Sequence, residues 1–399
     1  MNKSKKIEYL VGNNRFETVC DVPYSDLVCQ FLSDLSENLA NLNKANDYPD
    51  IKTLSFWCRK QNIDRLKNNF YSGELKEIRL GLGLVFHITP SNIPTNFAYS
   101  LFFGLLTGNS NIIKVPSKKF AQVAIICNSI KKILNKKKFF QLKRFITIVR
   151  YKDNDELTSK VSSICDARLI WGGKESITSI REFKMKERSI DIAFSDRFSF
   201  CTINAKELSK LNNHSLDRFI ERFYNDTYLV DQNACSSPHI IVWLNDKDSK
   251  VKNIFWEHLF KYVSKKYTLP PIAAIDKYTK LYKDFLDFKN IKSYKIFSSL
   301  LYVVNLKNLN DKMCDLRGKW GYFYEYDSSS LKKIAKYINK NCQTLTYFGV
   351  SKKEFNDFIF NSQLSGVDRI VPIGQALDIN LNWDGYDINK TLTRVVDFK

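Results

Sequence analysis

The sequence predicts an α/β protein built on parallel strands with crossover helices. Three observations predict it. Between about residues 80 and 182, short apolar and β-branched runs alternate with helical periodicities, in the rhythm strand, turn, helix, strand. The runs are cut by Pro, Gly or Asn, residues that end strands and open turns. The 399 residues are 44% apolar and 26% charged, the balance of a globular core rather than a disordered chain. That length suits two domains, or one large unit with an elaboration.

Residues 1 to about 75 read as mostly helical. Over Asp26–Leu42 the apolar residues Leu27, Phe31, Leu35 and Leu39 recur every fourth position, which gives a helix one buried face. GLVFHIT (Gly83–Thr89) is a β-type run, broken by PSNIP; Pro94 followed by Phe97, Leu101 and Leu105 opens a helix. GNSNIIKVPSK (Gly108–Lys118) is a turn and a short strand ending at Pro116. A helix follows over Ala121–Leu134, then the strand RFITIVR (Arg144–Arg150). ARLIW (Ala167–Trp171) is stopped by Gly172 and Gly173, and KESITSIREF is helical. Open parallel sheets bind ligands beyond the carboxyl ends of their strands, so the residues there are candidates.

Charge and composition narrow the function classes. The net charge of +20 admits a surface for a polyanion, such as nucleic acid, an anionic membrane, coenzyme A or an acidic carrier protein. The lysines occur in nearly every segment, which equally fits solvated faces of a Lys-rich chain; only KKILNKKK (Lys131–Lys138) forms a cluster. No nucleic-acid-binding motif is present. Nine cysteines with no CxxC pair fit free thiols in a reducing compartment, and four histidines without a ligand spacing give no metal site. The N-terminus is polar, and the greasiest segment, Phe97–Gly108, is shorter than the roughly 20 residues a membrane span needs. A cytoplasmic protein without membrane insertion is expected.

Five positions in four segments carry candidate chemistry. Asn92, in a turn bracketed by two prolines, is a primary amide of the kind that binds an oxyanion, or an Asn chosen for turn geometry. Lys114, near the end of its strand, can reach a ribose or phosphate, or be a solvated strand-end lysine. Gly172 and Gly173 precede a helix, where a backbone can approach a pyrophosphate and the helix N-terminus favours its charge. Cys235, in DQNACSSPHIIVW, lies in a polar turn just before an apolar strand, with the amides of Ser236 and Ser237 following. A nucleophilic thiol needs such local help, because a free one is only a few per cent thiolate at neutral pH. Cys127 and Cys165 sit in apolar or strand-flanking text and read as structural.

Taken in order, these segments resemble the aldehyde dehydrogenase superfamily. ITPSNIP is similar to its Pro-x-Asn-x-Pro turn, NSNIIKVPSK to its Lys-x-Pro-Ser strand, WGG to its Thr-Gly-Ser turn, and QNACSSPHIIV to its nucleophile segment. Together with SDRFSF and GVDRIVPIGQALDINLNWDGYDI (Gly366–Ile388), they more closely resemble its acyl-CoA reductase branch, which includes the long-chain acyl-protein thioester reductase of bacterial bioluminescence.

That resemblance implies an aldehyde-dehydrogenase-like fold, a Rossmann-type cofactor domain plus an α/β catalytic domain. The expected divisions are a helical segment over 1–75, an NADPH-binding domain over 76–200, a catalytic domain over 201–365 and a closing or subunit-contacting segment over 366–399. It implies Cys235 as nucleophile, Asn92 as oxyanion donor, and Lys114, Ser117, Gly172 and Gly173 as cofactor contacts. Lys118 and Lys119 then stand where an NADPH 2′-phosphate would be met. The implied reaction is NADPH-dependent reduction of an acyl thioester to the aldehyde through an acyl-Cys intermediate. Acyl-CoA, an acyl carrier protein or a partner acyl-protein synthetase would be the donor, and the chain a homo-oligomer. Where hydrolytic relatives carry a general-base Glu, AFSDRFSF (Ala193–Phe200) has none. Asp196 stands there, with Arg197 beside it expected to hold its carboxyl ionised. His239 is expected to begin a strand rather than act as a base, and Asp368, Arg369, Trp383 and Asp384 to be architectural. A CoA-acylating aldehyde or semialdehyde dehydrogenase, or a non-redox acyl-carrying subunit, are the alternatives.

Overall fold

The computed structural model describes residues 7–72, 77–152, 155–245 and 250–398. The chain divides into two units, one of residues 1–195 with 380–399 and the other of 196–379. Of the expected segments, 76–195 lies in the first unit with 1–75, while 366–399 is shared: 366–379 belongs to the second unit and 380–399 to the first.

The first unit carries β1 (Glu8–Val11), β2 (Ile78–Gly81), β3 (Leu84–Ile88), β4 (Ser110–Val115), β5 (Ile146–Arg150), β6 (Ala167–Gly172) and β7 (Ile190–Ser195). Its sheet runs β1-β5-β4-β3-β6-β7, parallel except for β1. Helices α1 (Asp26–Ala40), α2 (Pro49–Trp57), α3 (Lys60–Tyr71), α4 (Asn96–Leu106), α5 (Ala121–Leu134), α6 (Asp155–Ile164) and α7 (Lys174–Arg181) belong to the same unit. The segment expected to be mostly helical thus also holds a strand. EYLV is too short to show a β-period, and it is paired antiparallel on β5, with Arg150 bonded to Glu8 at 2.9 Å. In α1 the buried stripe is Val28, Phe31, Leu32, Leu35, Ser36 and Leu39, leaving Leu27 half-buried. A period of 3.6 drifts off a strict spacing of four within two turns.

Helix α4 is buried along its whole length, as its apolar circumference demands. Gly104 lets it approach the sheet: a Cβ there would stand 1.7 Å from Asn111 Oδ1. Beneath it lies a polar knot. His87 of β3 has Nδ1 2.7 Å from Ser100 Oγ and Nε2 3.0 Å from Asn111 Oδ1, and Trp171 Nε1 donates to Ser100 at 3.0 Å. Burial pulls the His87 pKa down to about 4, so the ring is neutral. The amide oxygen of Asn111 only accepts, which assigns the imidazole proton to Nε2.

The second unit carries β8 (Phe198–Asn204), β9 (Pro238–Leu244), β10 (Ile291–Phe297), β11 (Leu301–Leu306), β12 (Tyr322–Ser328), β13 (Cys342–Phe348) and β14 (Arg369–Pro372), in the order β10-β11-β12-β9-β8-β13-β14. All neighbours are parallel except β10 on β11. Its helices are α8 (Ala205–Leu208), α9 (Asn213–Thr227), α10 (Lys250–Lys266), α11 (Pro271–Asp287) and α12 (Lys352–Ser362). Side chains alternate across the sheet: Phe198, Phe200, Ile240 and Val242 enter one core, Cys201, Ile203, Ile241 and Trp243 the other. Buried Glu325 is made tolerable by three donors, Trp243 and Trp256 on one oxygen and Asn305 on the other. The last residues rejoin the first unit through β15 (Asn382–Trp383), β16 (Tyr386–Asp387), α13 (Ile388–Thr391) and β17 (Thr393–Val396), the last paired antiparallel with β2.

Candidate active site

In the first unit's sheet the chain order reverses between β3 and β6, so the connections leaving their carboxyl ends part in opposite directions. Such a switch point opens a crevice for ligands. After β3 comes the turn holding Asn92, which is exposed. Thr89 ties that turn to the neighbouring strand, its N–H and hydroxyl both donating to the Lys114 carbonyl at 3.1 and 2.9 Å. Lys114 is half-buried with Nζ 5.0 Å from the Tyr151 ring centre, and Ser117 is exposed just past Pro116. After β6, Gly173 caps α7 with φ −74° and ψ 169°, a conformation open to any residue. Its value is space, since a Cβ at Gly173 would meet nothing within 4 Å. Asn92, Lys114, Ser117, Gly172 and Gly173 are therefore all on the carboxyl edge of one sheet. The uncovered glycine cradle at a helix N-terminus and the strand-end ammonium fit the phosphates and ribose of a dinucleotide.

Cys235 belongs to the second unit and lies at the opposite kind of edge. The turn precedes β9, so the thiol stands where β8, β9 and β13 begin, not where they end; the carboxyl-end rule does not extend to this sheet. Asp231 and Gln232 both have left-handed backbones, at φ 55° and 54°. Gln232 is buried and makes the turn possible. Its amide oxygen accepts from the N–H groups of Gly321 and Tyr322 at 2.8 and 3.1 Å, and its Nε2 faces the carbonyls of Pro238 and Tyr322 at 3.3 and 3.4 Å. Tyr267 donates to the Asp231 carboxylate. Further along, Ser199 donates to the Cys235 carbonyl at 2.6 Å and accepts from Thr344 N–H at 3.1 Å. The thiol itself is met by buried Gln343, whose Nε2 donates to Sγ at 3.4 Å.

Arg369, at the start of β14, interacts electrostatically with Asp378, Asp226 and Cys235; burial lowers its pKa. It also grips the carbonyls of Gln375, Ala376 and Asp378 at 2.6 to 2.7 Å, while Asp226 accepts from Gly374 and Ala376 N–H. The thiol is thus half-buried, with an amide donor on its sulfur and a guanidinium that interacts with it. Gln343, Arg369 and Gln232 carry no local signal of this: Gln343 lies 108 residues from Cys235, and only the fold joins them.

Five of the other thiols are held protonated by burial. Burial pushes Cys127 and Cys165 up to about 12 and Cys29 to about 11, and raises Cys58 and Cys201 as well. His239 is the second residue of β9 and is buried; desolvation, then the charge of Arg317, pulls its pKa down to about 3. The pairing expected around Asp196 is corrected. Arg197 turns away from it, donating to Asp368 and to the Cys342 carbonyl, and Asp196 is bonded by Arg317 at 2.7 Å. Asp368 thus anchors Arg197. Among the described residues no group of three or more His, Cys, Asp or Glu is placed to hold a metal ion.

Comparison with protein families matches residues 59–395 to the acyl-CoA reductase (LuxC) family. The chain belongs to that family. Solved structures similar to this acyl-CoA reductase family member include aldehyde dehydrogenase 21 from Physcomitrella patens, with a TM-score of 0.63 and 12% identity over 93% of this chain and 85% of that one. A 1-pyrroline-5-carboxylate dehydrogenase from Thermus thermophilus gives 0.60 at 11% identity over 94% and 81%. An NAD-dependent benzaldehyde dehydrogenase from Corynebacterium glutamicum gives 0.57 at 11% over 92% and 84%. These likenesses establish an aldehyde-dehydrogenase-like fold. No curated protein sequence matches the chain significantly.

Proposed function

We propose that the protein reduces a fatty acyl thioester to the aldehyde, with Cys235 as the acyl-accepting nucleophile and NADPH as reductant. The observation that carries this reading is the setting of Cys235: a half-buried thiol, hydrogen-bonded by Gln343 and within the field of Arg369. Family membership and fold support it.

In this reading the Cys235 thiolate attacks the thioester carbonyl. The new S–C bond forms as the carbonyl electron pair moves to oxygen, and return of that pair expels the donor's thiolate, leaving acyl-Cys235. Water attack on that thioester needs a general base. In the segment where hydrolytic relatives place one, Asp196 is tied to Arg317, and no Glu is present. The acyl group is therefore retained. Lys114, Ser117 and Gly172–Gly173, with Lys118 and Lys119 toward a 2′-phosphate, would hold a reduced nicotinamide dinucleotide, which when bound would supply the hydride for reduction of the acyl group. The Cys235 sulfur then departs as thiolate when the aldehyde leaves, ready for the next acyl donor.

The test is incubation with tetradecanoyl-CoA, with and without NADPH, followed by intact mass and nicotinamide absorbance. An acyl adduct absent in Cys235→Ala, and discharged as aldehyde on adding NADPH, is expected. An adduct that NADPH leaves untouched makes the protein a non-redox acyl carrier, and an adduct that persists in Cys235→Ala removes the assigned nucleophile. Asn92→Ala is expected to lower kcat while Cys235 remains open to alkylation; equal loss of both would assign Asn92 to the fold instead.

A further inference from the structure

The basic cluster after α5 takes no part in the chemistry above. Residues 131–144, KKILNKKKFFQLKR, hold seven Lys and Arg and no Asp or Glu. All seven are exposed. They cover the last turn of α5 and the 3-10 stretch Lys137–Phe145 that leads into β5. Phe139, Leu142 and Phe145 of that stretch are buried, with Phe139 edge-on to Phe31 of α1 at 5.7 Å. Phe140 is instead 69% exposed, with Lys143 Nζ 5.1 Å from its ring centre.

Part of this charge has a local explanation. Lys131 and Lys132 close the last turn of α5, where cations oppose the helix dipole. Lys136 and Lys138 pair with Asp34 of α1 at 2.8 and 3.0 Å. Lys137, Lys143 and Arg144 have no acidic partner among the described residues. Three unpaired cations and an exposed aromatic ring thus fall within eight consecutive residues, with Lys143 beside the ring. Charge alone would suit any polyanion; a ring standing among the cations suits a partner with an apolar layer beneath an anionic face.

We propose that this face docks peripherally on an anionic lipid membrane. Lys137, Lys143 and Arg144 meet headgroup phosphates and Phe140 enters the acyl boundary. Contact is superficial, since no described helix is long and apolar enough to cross a bilayer. The topology keeps the chemistry clear of it. Helix α5 runs from the carboxyl end of β4 back to the amino end of β5, so the cluster lies at the edge of the sheet opposite Lys114, Gly172 and Gly173. The proposal is independent of the reaction proposed above.

The test is co-sedimentation of the full chain with phosphatidylcholine vesicles, with and without phosphatidylglycerol. Binding to the anionic vesicles alone, weakening as salt is raised, is expected. Lys137→Gln, Lys143→Gln and Arg144→Gln together should weaken it on the order of 100-fold, about fivefold per cation. Phe140→Ser alone should weaken it about tenfold. Phe360→Ser, removing a ring 77% exposed on the second unit, should leave binding unchanged. Equal binding to neutral vesicles, or a triple variant that binds like the wild type, overturns the proposal. So does a Phe140→Ser variant that binds like the wild type, which would reassign the face to an acidic macromolecule.

Discussion

Replacing Gln343 by Met keeps most of the side-chain volume and removes the N–H that donates to Cys235 Sγ at 3.4 Å. A hydrogen bond to a charged acceptor contributes about 1.5–3 kcal/mol, and each pKa unit corresponds to about 1.4 kcal/mol. The donor favours thiolate, so its loss should move the alkylation profile of Cys235 to higher pH by about 1 to 2 units. Gln343→Glu should move it further in the same direction, because a carboxylate near the sulfur repels the thiolate by about 4 kcal/mol at surface-like dielectric. The assay is the rate of iodoacetamide addition to Cys235 against pH, read by intact mass, beside the rate of acylation by an acyl-CoA at one pH. If Gln343→Met melts like the wild type and its alkylation profile is unmoved, Gln343 does not support the thiolate. A Glu variant shifted toward lower pH would refute the electrostatic reasoning altogether.

Lys277 is buried and donates to the carbonyls of Ser299 and Trp320 at 2.7 and 2.8 Å, two acceptors that suit the two N–H groups of a neutral amine. Burial pulls its pKa down to about 7, below the unfolded value, so the unfolded chain binds the extra proton between about pH 7 and 10. Stability from this group is present above that window and lost as pH falls through 7. Lys277→Met should therefore flatten denaturant-derived stability against pH over 7 to 9, by up to about 1.4 kcal/mol per pH unit. Glu325→Leu strands the indole N–H groups of Trp243 and Trp256, so urea melts should show a loss of at least about 3 kcal/mol. Gly104→Ala places a Cβ 1.7 Å from Asn111 Oδ1 and must displace the His87 partner, which should cost about 2–4 kcal/mol and lower the melting temperature.

The elements that sequence reasoning located are those whose own residues decide them. Asn96–Leu106 and Ala121–Leu134 show helical runs between turn residues, and Ala167–Gly172 is an apolar run cut by glycine. Cys235 stands out as a candidate because polar turn residues and an apolar strand meet at it. What escaped was decided by partners far along the chain. Glu8–Val11 is a strand because β5 offers an edge 142 residues away in the Glu8–Arg150 pair. Arg197 looked like the neighbour of Asp196, yet adjacent residues on an extended chain face opposite ways, and Asp368 and Arg317 took one each. Gln343 and Arg369 lie at the starts of two different strands, as the second residue of β13 and the first of β14, so no spacing in the sequence announces that both meet one thiol.

The Gln232 clamp also sets an order of events during synthesis. The turn that presents Cys235 is held by the N–H groups of Gly321 and Tyr322, made 89 and 90 residues later. At about 5 to 20 residues per second, the thiol leaves the ribosome several seconds before the strand that shapes its loop. Through that interval the Gln232 amide oxygen lacks its two N–H donors, and the left-handed Asp231–Gln232 pair has only local bonds and Tyr267 to hold it. Until β12 docks, the nascent chain carries Cys235 without the Gln232 clamp on its turn, and a chain cut short before residue 321 never acquires that clamp.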